Sequence, residues 1–173
     1  MKVLESDRLL VRRMAHGDAR FLVELLNDPD FLRYIGDKGV RDEADARKYL
    51  DDGALRSYAE RGYGMYLVET KESGDPIGMC GLIRRDGLDA VDIGFAYLPD
   101  FRGLGYGFEA GAAVLAHAHD DLGLRRVVAV TSPDNAASMA LLRKMGLRFD
   151  RMIRLPGDSR DCRLFVPVLD SDI

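Results

Sequence analysis

The stretch Pro99–Gly111, PDFRGLGYGFEAG, decides how this chain is read. Gly103, Gly105 and Gly107 take alternate positions just before an alanine-rich segment, 106–123, that reads as a helix. A plain strand-to-helix turn needs one or two glycines. Three bare positions let several backbone N–H groups converge at the positive end of the helix dipole. Such a point attracts an anion, and a phosphorylated nucleotide is the natural ligand. Two known phosphate loops do not fit. Counted from Gly103, a G-x-G-x-x-G fingerprint needs glycine where Phe108 stands, and it would follow a first strand. A Walker loop needs G-K-[ST], which is absent here.

Before the glycines, three segments read as consecutive strands: 63–71, 77–85 and 90–98, split by ESGDP and DGLD. They predict an antiparallel meander. Upstream, 8–14 reads as a first strand, and 16–28 and 41–62 as helices. The segment DPDFLRYIGDKG breaks the first helix, and Gly53 interrupts the second. Downstream, 124–132 reads as a strand. The next helix, 132–146, has Ser132 as its cap, Pro133 in its first turn, Asp134 at its positive end and Gly146 as its stop. Two final strands flank a PGDS turn. The strand ending at Leu98, the helix after it and strand 124–132 form a βαβ unit, which makes that strand pair parallel. Ligands of such sheets gather at strand carboxyl ends beside helix N-termini. That is where the glycines lie. The expected fold is α/β (α+β), one domain over 1–173, with a mixed, mostly antiparallel sheet of about seven strands, one parallel pair and about four helices.

Composition narrows the functions. At 173 residues the chain can bury a core, and 47% apolar with 31% charged content is ordinary for a globular protein. A formal charge of −4 argues against a nucleic-acid surface and tolerates a cationic partner such as an amine. No apolar run approaches the ~20 residues of a membrane span. The N-terminus lacks a signal peptide's apolar stretch, so the expectation is a mature cytoplasmic protein without membrane or nucleic-acid partners. Cys80 and Cys162 read as buried thiols of a reducing compartment. His117 and His119 stand two apart on one helix, so they cannot form a same-face metal pair, and no metal site is expected.

Arg102-Gly103-Leu104-Gly105-Tyr106-Gly107 resembles the [QR]-x-x-G-x-[GA] acetyl-CoA motif of the GNAT acyltransferases. The element order resembles that family over nearly the whole chain. LESDRLLVRRM, IGFAYLPDFRGLGYGFEA and NAASMALLRKMGL, in that order, are similar to segments of its ribosomal-protein N-acetyltransferase (RimJ/RimL) branch. The resemblance implies the GNAT fold and acetyl-CoA as co-substrate. It places the pyrophosphate on the N–H groups of residues 103–108, with a charged contact from Arg102. The pantetheine arm is implied along Phe95, Ala96 and Tyr97. It gives Asn135 a cofactor contact and places Ser138 near the thioester sulfur. Many family members carry a catalytic tyrosine seven residues after that asparagine. Leu142 stands there, which excludes a tyrosine mechanism and leaves the serine variant.

Transfer to an amine needs a proton acceptor. Val91, Ile93, Phe95 and Tyr97 share one face of their strand, read as core. Asp92 shares the other with Gly94 and Ala96, a lone carboxylate beside room for a ligand, and is the first candidate base. Glu109 is the second, although a first-turn acid is explained by the helix dipole alone. A backbone N–H near Tyr97 is the expected donor to the oxyanion. The acceptor is expected between 31–40 and the final strand pair, near Phe31, Tyr34, Asp37, Asp158 and Arg160. The leading expectation is an N-acetyltransferase acting on a protein N-terminus, as a monomer or homodimer. Polyamine, amino-acid or antibiotic acetylation is the alternative, and a catalytically silent acyl-CoA-binding module is the rival from another class.

Overall fold

A computed structural model describes residues 1–169. Its strands are β1 (Lys2–Glu5), β2 (Leu9–Arg13), β3 (Met65–Thr70), β4 (Pro76–Ile83), β5 (Val91–Tyr97), β6 (Val127–Thr131), β7 (Leu147–Ile153) and β8 (Cys162–Pro167). They form one sheet in the order β1-β2-β3-β4-β5-β6-β8-β7. The expected meander is β3-β4-β5, antiparallel throughout. β5 and β6 form the parallel pair. The final strands enter as a hairpin, with β8 between β6 and β7.

The helices are α1 (Ala19–Leu26), α2 (Pro29–Tyr34), α3 (Glu43–Leu50), α4 (Arg56–Arg61), α5 (Tyr106–Asp120) and α6 (Ala136–Lys144). One core joins α5, through Ala110, Val114 and Ala118, to Val91, Ile93 and Tyr97 of β5 and to Leu142 of α6. The other joins Leu22, Leu25, Ala46 and Leu50 of α1 and α3 to Leu67 and Met79. The sheet is thus covered on both faces, which is why β3 and β4 are buried along most of their length.

The structure refines or changes the sequence expectations at several points. The sheet has eight strands, because Lys2–Glu5 folds back onto β2. Helices number six among the described residues, because the presumed break after α1 contains α2. Asp28 caps that helix from its side chain to the Phe31 N–H, and Pro29 opens it, so the signals read as a break are start signals. The interruption at Gly53 is a π-helical segment, Asp51–Leu55, joining α3 to α4. The cap of α6 is Asn135 rather than Ser132, whose hydroxyl bonds Asp134 instead. Cys80 is fully buried, whereas Cys162 is only partly so.

Candidate active site

α5, like α1 and α4 and unlike α2, α3 and α6, begins without a side-chain cap. Asp28, Asp42 and Asn135 cap α2, α3 and α6 through side-chain oxygens. α5 starts at Gly105, which has no side chain to cap it. Its first intrahelical bond comes from the Glu109 N–H, so the N–H groups before it remain for another acceptor. Gly103 and Gly105 have φ of +72° and +85°, a region that costs side-chain-bearing residues energy. Gly107 serves packing: a Cβ there would meet Leu141 at 2.9 Å. The three glycines therefore do two different jobs, two shaping the loop and one seating α5 on α6.

Two arginines brace the loop. Arg8 donates to the Leu104 carbonyl at 3.0 Å and lies over the Tyr106 ring. Arg102 donates to the Tyr97 carbonyl at 2.9 Å, to Asp28 at 2.6 Å and to Asp30 at 2.7 Å. Its guanidinium ties the loop to β5 and α2 rather than standing free for a phosphate. Arg8, Asp28 and Asp30 were not singled out in the sequence, because contacts across about seventy to a hundred residues leave no local pattern.

Beside the loop, the sheet divides. β5 and β6 pair at Val91↔Val127 and Asp92↔Val128. Beyond that, β5 stays with β4 as far as Tyr97, and β6 stays with β8 as far as Thr131. The Leu98 N–H bonds the Ile77 carbonyl on β4, and alternation along the strand then turns the Phe95 and Tyr97 N–H groups toward the split. The split opens into a cavity of about 1090 Å³ that Gly94 and Phe95 line from β5 and Ala129 and Thr131 from β6. Asn135 and Ser138 line it as well, so the topology brings them to the same cavity as Asp92 and Phe95. The Thr131 hydroxyl donates to Ser138 Oγ at 2.9 Å, which leaves the Ser138 proton for another acceptor. Asn135 Oδ1 accepts from the Ser138 N–H at 3.1 Å, so its carbonyl serves as the helix cap. Leu142 is buried in the core. Tyr97 also points inward, its hydroxyl buried beside Cys80 without a hydrogen bond of ordinary geometry. Burial pushes the Cys80 thiol up to about 12, which makes it an inert packing group.

The two carboxylates diverge. Asp92 is almost wholly buried at the root of the split and lines the cavity. Arg85 Nε donates to both its oxygens, at 3.0 and 3.1 Å. Burial raises its pKa from the ordinary value, and the Arg85 charge opposes that rise. Glu109 accepts from the Ser6 hydroxyl at 2.7 Å, the Arg8 N–H at 2.8 Å and Arg8 Nε at 2.7 Å. Partial burial raises its pKa, but the Arg8 N–H, the Ser6 hydroxyl and the Arg8 guanidinium outweigh it and hold the carboxyl below its usual range. Glu109 is therefore a clasp from α5 to the β1–β2 turn. A depressed pKa gives stability present above the unfolded value and lost as pH falls through the folded one. Glu109→Gln is expected to cost about 1–3 kcal/mol of folding stability at neutral pH, read by thermal melts, with the penalty shrinking below pH ~4. Turnover at saturating substrates is expected to survive; its collapse would return Glu109 to the chemistry.

The far wall matches the expected acceptor region. Phe31, Tyr34, Asp158 and Arg160 line the cavity. Asp37 does not; it pairs with Arg41 on the surface. Arg160 reaches across to the carbonyls of Arg33 and Ile35, closing the β7–β8 turn over the end of α2. Tyr49, Met65 and Arg85 complete the wall and were not anticipated.

This geometry is that of a known family. The family model described as "Acetyltransferase (GNAT) domain" matches residues 8–148. Two Bacillus subtilis (strain 168) relatives are similar along most of their length. One, named "Uncharacterized protein YkkB", is 29% identical over 87% of this chain and 88% of its own. The other, named "Uncharacterized N-acetyltransferase YoaA", is 29% identical over 88% and 86%. Among solved structures, a ribosomal-protein-S5-alanine acetyltransferase from Vibrio fischeri superposes with a TM-score of 0.78 at 17% identity, over 96% of each chain. A spermidine N-acetyltransferase SpeG chimera from Vibrio cholerae and hSSAT gives 0.74 at 16%, over 92% and 95%. Likeness at that identity speaks for the fold, and the matched domain speaks for the family: the chain is a GNAT acetyltransferase.

Proposed function

We propose that the chain transfers an acetyl group from acetyl-CoA to the amine of a protein N-terminus, in the manner of the ribosomal-protein N-acetyltransferase (RimJ/RimL) branch. The observation that carries this reading is the split between β5 and β6, set between an uncapped helix N-terminus and a serine with a spare hydroxyl proton. The residues fit the donor: bare N–H groups at positive-φ glycines suit a pyrophosphate, and an unpaired strand edge suits an amide-bearing arm. Residues 103–108 would hold the pyrophosphate, Phe95, Ala96 and Tyr97 the pantetheine arm, and Asn135 its end near Ser138. The bound donor supplies an activated acetyl thioester.

The chain's own residues do the rest. Asp92 takes the proton of the incoming ammonium, directly or through water. The Tyr97 N–H, facing the split, donates to the carbonyl oxygen as it gains charge. Ser138, held by Thr131 and by the α6 cap, donates its free proton toward the sulfur. The walls fix the amine against the acetyl carbon, and positioning alone is a large rate factor.

The peptide acceptor rests on the resemblance of three sequence segments to the RimJ/RimL branch. The cavity of about 1090 Å³ takes the end of the donor's arm as well as the acceptor, so its volume by itself selects neither a peptide nor a small amine. No helix among the described residues is long and apolar enough to cross a membrane. A cytoplasmic, single-domain enzyme, monomeric or homodimeric, completes the proposal. The test is thiol release from acetyl-CoA against N-terminal peptides, spermidine and an aminoglycoside. Peptide turnover is expected to exceed both amines; spermidine or aminoglycoside preference would overturn the peptide acceptor. Ser138→Ala is expected to lower kcat by about 10–100-fold, and an unchanged kcat would remove Ser138 from the chemistry.

A further inference from the structure

The acceptor cavity carries a charge opposite to that of the chain. The whole sequence has a formal charge of −4. The cavity's lining residues include eight arginines or lysines and five aspartates; Glu60, just outside the lining, pairs with Arg56 and Arg61, which leaves a net of plus two. The aspartates are occupied. Asp92 is held by Arg85 and Asp134 by Arg33. Asp161 is held by Arg154, Asp158 by Arg160 and Asp52 by Lys48. Lys38 and Arg84, in contrast, have no acidic partner within 4 Å among the described residues. Lys38 stands on the α2–α3 loop and Arg84 just past β4, so two separate elements bring uncompensated cations to one opening. Partial burial, then Arg85, lowers the Lys38 pKa, with Asp158 opposing and Arg160 adding to the fall. That ammonium gains from any anion that enters.

We propose that the acceptor is a peptide whose first residues after the amine carry carboxylates, and that Lys38 and Arg84 select it while the same cations reject polyamines and aminoglycosides. This rests on the acetyltransfer reading of the same cavity. A like-charged acceptor would meet an uncompensated wall, and mismatched charge across a contact costs specificity directly. The aromatic rings of Phe31, Tyr34 and Tyr49 supply the apolar surface against which a backbone can lie.

The experiment measures acetyl-CoA-dependent acetylation of three matched tripeptide amides, Ala-Asp-Glu, Ala-Asn-Gln and Ala-Lys-Lys, alongside spermidine and free glutamate. The acidic peptide is expected to lead the neutral one by about tenfold in kcat/KM, and the basic one by more. Lys38→Glu and Arg84→Glu are each expected to remove about that preference while leaving the KM for acetyl-CoA unchanged. Equal or better use of Ala-Lys-Lys overturns the inference. So does a raised KM for acetyl-CoA in the variants, which would assign the cations to the donor. Turnover of glutamate with no peptide would overturn the peptide reading and leave anion selection standing. Turnover of spermidine alone would overturn both.

Discussion

Gly105→Val is expected to abolish acetyl-CoA binding in a chain that still folds. Gly105 has φ of +85°, where a β-branched residue is strained, and a Cβ there would meet the Arg8 guanidinium at 3.1 Å. Arg8 in turn holds the Leu104 carbonyl. Valine therefore disturbs both the loop's shape and its brace, and turns away the N–H groups that open α5. Losing two charge-assisted hydrogen bonds costs about 3–6 kcal/mol, or roughly 10²–10⁴ in affinity. The loop is on the surface and its core neighbours are few, so the melting temperature is expected to fall only by a few degrees. Titration calorimetry with CoA checks the first expectation and thermal melts the second. Binding within about threefold of the native chain would remove the loop from the site.

Asp92→Asn is expected to lower kcat by about 10²–10⁴-fold, the usual span for loss of a positioned base. Because burial raises the Asp92 pKa, the acid limb of kcat is expected above the ordinary carboxylate value of ~3.9. That limb should be absent from the variant. The same shift has a stability consequence. A folded pKa above the unfolded one means that stability from this group is present at low pH and lost as pH rises through the folded value. At neutral pH the buried carboxylate depends on Arg85, and the asparagine variant leaves that guanidinium, itself about one-third exposed, without its charge partner. A profile of kcat against pH separates the two roles. Loss of stability with kcat and its acid limb intact would make Asp92 a structural ion-pair partner only.

Much of this was legible before any coordinates. The meander, the parallel pair and the two closing strands followed from alternation and turn residues, because each is a local pattern. The faces of β5 were legible for the same reason: Val91, Ile93 and Tyr97 enter one core and Asp92 lies on the other side. The glycine stretch is a loop before a helix, as its composition implies, and Gly107 has a packing reason to be glycine beside Leu141 that the local sequence does not show. What escaped were long-range and double-meaning signals. DPDFLRY contains a cap and a first-turn proline, which punctuate a start as well as they break a helix. Ser132-Pro133-Asp134 looked like a cap, yet Asn135 supplies it and Ser132 bonds Asp134. Arg8, Arg85 and Thr131 acquire their places only once the sheet is assembled. The cationic lining was hidden by a net acidic composition, which averages over faces the fold separates.

The central claim is that the split between β5 and β6 seats the thioester between the Phe95–Tyr97 edge and Ser138, with the pyrophosphate on the opening N–H groups of α5. Electron density for CoA soaked into crystals of the chain tests it most directly. The account predicts pyrophosphate oxygens within hydrogen-bond distance, ~3 Å, of N–H groups in 103–108, and the sulfur beside Ser138 Oγ and open to the Asp92 side of the cavity. Pyrophosphate bound away from α5, or a sulfur directed away from Ser138, would contradict it.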